Sequence, residues 1–181
     1  MRYMVASDIH GSALACELIA KNLKKEKADR LILLGDILYH GPRNDLPERY
    51  DPKACIKILN KLKDRVLCVR GNCDSEVDQM VLEFPILADY AIIDIGDRLI
   101  YATHGHILNK ENIPPLKKGD ILLHGHTHVP ASEFFGDGLL YMNPGSVAIP
   151  KDNSPQSYMI IDKGLVEWKT ISGKIYHQTK L

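Results

Sequence analysis

Three short apolar runs, Tyr3 to Ala6, Leu31 to Leu34 and Val66 to Val69, each stop abruptly at polar, turn-forming residues, and the stretches between them carry helical periodicity. A run of this length bounded by turn signals reads as a strand buried on both faces. Between the first two runs, Leu14, Leu18, Ile19 and Leu23 recur at helical spacing over Ala13 to Lys25. Lys21, Lys24, Lys25 and Lys27 lie on the other face and at the carboxyl end, where the helix dipole favours cations. Between the second and third, Pro52 suits the first turn of a helix whose apolar side is Ala54, Ile58, Leu59 and Leu62. A β-α-β-α-β order with short right-handed crossovers makes these three strands parallel.

The second half changes pattern. Ala88 to Ile95 and Arg98 to Thr103 flank Gly96-Asp97, and Ser132 to Phe135 and Leu139 to Met142 flank Gly136-Asp137-Gly138, so both pairs read as hairpins. Ile121 to Leu123 is a further short strand, and strands at Ser157 to Ile161, Leu165 to Thr170 and Lys174 to His177 complete the chain. This half therefore reads as mostly hairpins. The layer rule leaves a mixed sheet, or two packed sheets with helices on the outer faces, in one domain spanning 1–181.

Composition narrows the class. With 45% hydrophobic and 25% charged residues the chain reads as globular, and Lys+Arg equals Asp+Glu at 23 each, so no general charge calls for a nucleic acid polymer or an anionic membrane. No apolar run approaches the roughly 18 residues of a membrane helix, and the opening Met1 to Ser7 is too short for a signal peptide. Cys16, Cys55, Cys68 and Cys73 show no C-x-x-C spacing, which suits reduced thiols, and the expectation is a cytoplasmic protein.

The chemistry concentrates where apolar runs end. Leu122-Leu123 runs into His124-Gly125-His126-Thr127-His128. In an extended backbone alternate side chains face one way, so three such histidines share a side, and a divalent metal is the plainest reason for imidazoles there; a polar turn rich in histidine is the alternative. The other exits are alike: Asp8 and His10 after the first run, Asp36 after the second, Asn72 after the third, His104 after the hairpin. Parallel sheets gather such residues at the carboxyl ends of their strands.

The series D-x-H, GD, GN-x-D, H, GH-x-H, spanning residues 8 to 128, resembles the calcineurin-like metallophosphoesterase superfamily. The small size, the loop GDILYHGPRND, the GNCD segment and NPGS resemble the small bacterial YfcE-like phosphodiesterases in particular. The resemblance implies an α/β fold of two packed mixed β-sheets flanked by helices, a four-layer sandwich. It implies one metal held by Asp8, His10, Asp36 and His128, and a second by Asp36, Asn72, His104 and His126, with Asp36 bridging. Carboxylate, amide and imidazole donors suit Mn²⁺, with Fe²⁺, Zn²⁺, Ni²⁺ or Co²⁺ as alternatives. Two such ions about 3.5–4 Å apart would activate a bridging hydroxide for in-line attack on phosphorus. Asp36, Asn72, Cys73 and Asp74 are the expected catalytic residues.

Several residues are left over. Arg43 and Asn44, with His40 and Arg49, lie in the long loop 37–51 and are within reach of a substrate phosphate; a surface loop with two arginines is the plain alternative. His106 reads equally as a phosphate contact, a remote hydrogen-bond partner or a solvated residue, and His124 as a support for its strand. Many superfamily members carry histidine where this chain has Cys73, and that histidine is thought to protonate the departing oxygen or to steady the phosphate. A thiol with a reference pKa near 8.5 is a poor replacement. The expectation is a phosphodiesterase that acts best on aryl or activated esters of small size. A phosphomonoesterase for nucleotides or sugar phosphates, and a non-catalytic scaffold like the retromer subunit of this family, are the alternatives. A nuclease lacks support, because no basic stripe interleaved with aromatics runs along the chain. The apolar hairpins leave a homo-oligomer open.

Overall fold

The computed structural model describes residues 1–181. Strand β1 (Arg2–Ala6), helix α1 (Ala13–Lys25), strand β2 (Arg30–Leu33), helix α2 (Pro52–Asn60) and strand β3 (Val66–Cys68) follow one another, and β1, β2 and β3 pair in parallel as expected. Local chemistry sets the helix starts. The Ser12 hydroxyl accepts a hydrogen bond from Ala15 N and the Asp51 carboxylate one from Ala54 N, while Pro52 occupies a first-turn position where no N–H is needed. Lys24 and Lys25 close α1.

Alternation along β1 and β2 builds two cores on one sheet. Met4, Ala6, Leu31 and Leu33 face α1 and α2, meeting Cys16, Ile19, Leu23, Cys55 and Leu59. Val5, Ile32 and Leu34 face the opposite way, against Ile100, Ala102, Leu123 and Met142 of a second sheet.

The first sheet is completed by β9 (Ser157–Asp162), β10 (Leu165–Thr170) and β11 (Ile175–Lys180), in the order β11-β10-β9-β1-β2-β3. The second contains β4 (Tyr90–Asp94), β5 (Leu99–Thr103), β6 (Ile121–Leu123), β7 (Ala131–Phe135) and β8 (Leu139–Asn143), in the order β4-β5-β6-β8-β7. Both sheets are mixed. The hairpins at Gly96-Asp97 and Gly136-Asp137-Gly138 form as expected, but β5, β6 and β8 are parallel neighbours. The second half is thus not simply a set of hairpins: the long connection 104–120 crosses over the sheet and returns the chain to lay β6 beside β5. That connection lies on the sheet's outer face, with Lys110 5.0 Å from the centre of the Tyr141 ring.

One helix, α3 (Glu76–Gln79), is not anticipated by periodicity because it is a single turn; its sequence signal is the capping box of Ser75 and Asp78. No helix of the chain is long and apolar enough to cross a membrane.

Candidate active site

The carboxyl ends of β1, β2, β3, β5 and β6 meet at one edge of the two-sheet stack, and each runs into a loop that turns sharply. The turn is made by the candidate ligands themselves: Asp8 (φ 58°), His10 (φ 49°), Asp36 (φ 56°), His126 (φ 64°) and His128 (φ 62°) all adopt the left-handed backbone conformation that non-glycine residues seldom take. Each such residue costs on the order of 1–3 kcal/mol, and strain of this kind clusters at functional sites. Its effect is to swing side chains leaving separate strands toward a common point.

The alternation argument for His124, His126 and His128 does not survive in its first form. Strand β6 ends at Leu123, and the five residues after it form a turn in which His126 and His128 face the cleft while His124 tucks beneath. The His124 ring lies against Tyr141, centroids 4.4 Å apart, which fits a supporting role.

Two groups of donors result. In the first, His10 Nε2 stands 3.7 Å from Asp8 Oδ1 and 3.5 Å from Asp36 Oδ2, and His128 Nε2 stands 3.3 Å from Asp8 Oδ1. In the second, His104 Nε2 is 3.5 Å from Asp36 Oδ2, 3.0 Å from Asn72 Oδ1 and 3.1 Å from His126 Nδ1. Asp36 belongs to both. All seven residues named from sequence as ligands therefore converge.

Three of the rings are oriented from behind. Nδ1 of His10, His104 and His128 lies 2.8, 2.6 and 2.7 Å from the carbonyls of Tyr39, Leu34 and Ile149, so each Nδ1–H donates to backbone and each Nε2 offers a lone pair to the cleft. His10 Nε2 and His128 Nε2 then oppose lone pair to lone pair at 3.3 Å, beside a buried Asp8 Oδ1 that no donor satisfies. Opposed lone pairs next to buried carboxylates fit a cation between them, so the donors present suit divalent metals.

The electrostatics agree. Burial opposes ionisation of Asp8, but His10 and His128 outweigh it and hold the carboxyl well below the usual range. Burial likewise disfavours imidazolium at His104, yet Asp36 and Asp8 overcome it and raise the ring to about 9. His10 is raised in the same way, whereas burial lowers His126 and His106 and pushes His124 down to about 4. The field of the two buried aspartates thus demands positive charge at the cleft.

Support for Asp36 comes from the GNCD segment. Cys73 N–H donates to Asp36 Oδ1 at 2.8 Å, leaving Oδ2 for the histidines. Asp74, expected among the catalytic residues, does not reach the cleft: buried, it accepts hydrogen bonds from the backbone N–H groups of Asp36, Ile37 and Gly71 at 2.7–2.8 Å. It is a positioning residue. Two glycines make the packing possible, since a Cβ on Gly71 would run into the Asp36 carboxylate and one on Gly125 into Ser7 and Asp8.

The cleft opens into a cavity of about 370 Å³ lined by Asp36, Asn72, Cys73, Arg43, Asn44 and Lys151, among others. Arg43 and Asn44 thus line the same cavity as Asp36, Asn72, His126 and His128. The other two loop candidates are elsewhere: the His40 ring packs between Tyr39 and Tyr50, and Arg49 pairs with Glu17 at the surface. His106 lies behind His104, rings 5.3 Å apart, and lines a neighbouring cavity instead of this one. Sequence reading missed Lys151 and Thr127 on the cavity wall, which carry no signal of their own. It also passed over the work of the NPGS turn, in which Asn143 Nδ2 donates to Gly125 O at 2.9 Å and Ser146 Oγ to Asp8 O at 2.8 Å.

Residues 1–164 match the calcineurin-like phosphoesterase superfamily domain. The chain belongs to that superfamily. Phosphodiesterase YfcE of Escherichia coli (strain K12) is 46% identical over 166 residues, covering 92% of this chain and 90% of that one. The solved structure of Escherichia coli YfcE superposes with a TM-score of 0.96 at 43% identity over 99% of both chains. The probable metallophosphoesterase YsnB of Bacillus subtilis (strain 168) is 28% identical, with 89% of this chain and 83% of that one covered. As a calcineurin-like phosphoesterase the chain is a phosphoric ester hydrolase that works with divalent metal ions, and its two mixed sheets are those of the YfcE structure.

Proposed function

We propose that the protein is a dinuclear-metal phosphodiesterase of small substrates. The observation that carries this reading is the sharing of Asp36 between two donor groups, Asp8, His10 and His128 on one side and Asn72, His104 and His126 on the other. Its likeness to YfcE along nearly the whole chain supports the choice of diester. Mn²⁺ is the proposed ion, because hard oxygen and imidazole donors without thiolate accept it readily. Held by these residues, such a pair would activate water as a nucleophile near neutral pH and would offset charge developing on phosphorus.

The chain's own residues do the rest. Arg43 and Lys151 flank the cavity and hold the phosphate's free oxygens, and Asp36 is kept in place by Cys73 N–H. Burial and the neighbouring Asp36 push the Cys73 thiol up to about 12, so near pH 7 it is a poor proton donor to a departing alkoxide. Leaving oxygens that depart as stable anions are favoured, hence aryl and activated esters. The four free cysteines fit a cytoplasmic setting.

A monoesterase is the second reading, favoured by the two cations at the cavity, which suit a dianionic phosphate. The test is turnover of a bis-aryl phosphate, an aryl phosphate and a cyclic nucleotide by Mn²⁺-loaded protein, with Asp36→Asn as the blank. Higher kcat/KM on the bis-aryl diester is the expected result. Faster monoester turnover reverses the choice, and no turnover on any of them favours the scaffold.

A further inference from the structure

Of the four cysteines, Cys73 alone reaches the cleft. Cys16, Cys55 and Cys68 are buried in the apolar core with α1 and α2, whereas Cys73 is half-buried and lines the cavity beside Asp36 and Asn72. Its backbone N–H donates to Asp36 Oδ1 at 2.8 Å, which fixes the residue against that carboxylate, and Asn72 Nδ2 donates to Sγ at 3.3 Å. Gly41 backs the sulfur from the loop side, where a Cβ would come within 3.1 Å of it.

The sulfur thus stands among metal donors. Cys73 Sγ, a ring nitrogen of His10 and a carboxylate oxygen of Asp36 all lie within 4.8 Å of one another. Ligands at about 2.0–2.3 Å from one ion stand no more than about 4.6 Å apart, so these three are already near the spread that a shared ion requires. Buried Asp8 Oδ1, which no donor satisfies, lies 3.7 Å from His10 Nε2 and independently calls for a cation at this place. The seven ligands named from sequence include no sulfur, and Cys73 supplies an eighth donor of a different softness. Carboxylate and imidazole accept Mn²⁺ and Zn²⁺ alike, but thiolate favours Zn²⁺ over Mn²⁺.

We propose that Cys73 is a metal-selective ligand, which joins His10 and Asp36 around Zn²⁺ and stays a free thiol beside Mn²⁺. The inference rests on the reading that His10 and Asp36 hold an ion. As the S–Zn bond forms, the S–H bond breaks and its proton passes to solvent; nothing is oxidised. The extra ligand fills a position that catalytic ions keep open, so the zinc form is the closed one and the manganese form the open one.

The test begins with chelator-stripped protein titrated with Co²⁺, which stands in for Zn²⁺ and reports a bound thiolate by a sulfur-to-cobalt charge-transfer band in the near ultraviolet. The band is expected in the unaltered chain and should vanish in Cys73→Ser, where the three core cysteines remain. Competition titrations should show that Cys73→Ser weakens Zn²⁺ by about tenfold or more, the loss typical even of partners one step removed from an ion, and leaves Mn²⁺ within about threefold. Iodoacetamide should label Cys73 about tenfold more slowly in the Zn²⁺-loaded than in the Mn²⁺-loaded protein, because a metal-bound sulfur is a poorer nucleophile. That comparison uses the unaltered chain, so it decides even if Cys73→Ser fails to fold. Two ions bound per chain with no charge-transfer band, a band that survives Cys73→Ser, or equal labelling rates overturn the proposal. A single ion bound per chain together with the band overturns the dinuclear reading and keeps the sulfur ligand.

Discussion

His10 Nε2 and His128 Nε2 face each other across 3.3 Å although 118 residues separate them in the chain. With both Nδ1 protons given to backbone carbonyls, neither ring can donate to the other, and Asp8 and Asp36 lie alongside. A cation relieves this arrangement, and in its absence a proton does.

The first prediction follows from that competition. The folded-state pKa of His104 is raised to about 9 and that of His10 is also raised, so their contribution to stability is complete below the ordinary imidazole value and is lost as pH climbs through the raised ones. Chelated protein should therefore lose on the order of 2 kcal/mol, or about 5 °C in Tm, between pH 7 and 9. Mn²⁺-loaded protein should show the opposite trend over that interval, because metal binds deprotonated imidazole. Thermal melts with and without chelator check this, and a flat chelated profile contradicts it.

Cys73→His should raise turnover on diesters with unactivated alkoxide leaving groups by about 10-fold or more while changing aryl esters little, since only the former need a proton. The Sγ of Cys73 accepts from Asn72 Nδ2 at 3.3 Å, and the side chain lines the cavity, so the new ring would face substrate. Parallel kcat measurements on the two ester classes decide; no gain on alkyl esters would mean that another residue already protonates the leaving group.

Asp74→Asn keeps the shape but replaces one carboxylate oxygen, which accepts backbone N–H bonds, with an NH₂ donor. A loss of about 2–4 kcal/mol in denaturant unfolding is expected, with metal affinity reduced about 10–100-fold because Asp36 loses its anchor. Metal titration of the folded variant separates the two effects. Unchanged affinity would leave Asp74 a purely structural residue.

Gly125→Ala is expected to be more damaging than its conservative chemistry suggests. The added carbon would meet Ser7 and come within 2.7 Å of Asp8 Oδ2, and the neighbours are short side chains on the rigid β1 exit. Destabilisation of about 1–3 kcal/mol and loss of metal at the Asp8 group are the expected outcomes, by melts and elemental analysis. Gly96→Ala, where nothing lies within 4 Å but φ is 109°, should affect stability through backbone strain and leave metal content unchanged.

Much of the fold was legible because local rules decide it. The β1 to β3 strands, the full extent of α1 and the start of α2 follow from apolar runs, helical spacing and Pro52, all of which act within a few residues. The hairpins at Gly96-Asp97 and Gly136-Asp137-Gly138 are legible for the same reason. The parallel placement of β6 between β5 and β8 was not, because the 104–120 connection has no periodicity and its path depends on what the sheet face offers it.

For the site, residue identity and order pointed to Asp8, His10, Asp36, Asn72, His104, His126 and His128, since a donor set of carboxylate, amide and imidazole at strand exits has few other uses. Where each side chain points was a different matter. The left-handed turns at Asp8, Asp36, His126 and His128, the retreat of Asp74 onto backbone amides, the outward pairing of Arg49 with Glu17 and the arrival of Lys151 at the cavity all arise from distant segments packing together. Spacing along a chain specifies which atoms are available; the stacking of two sheets determines which of them meet.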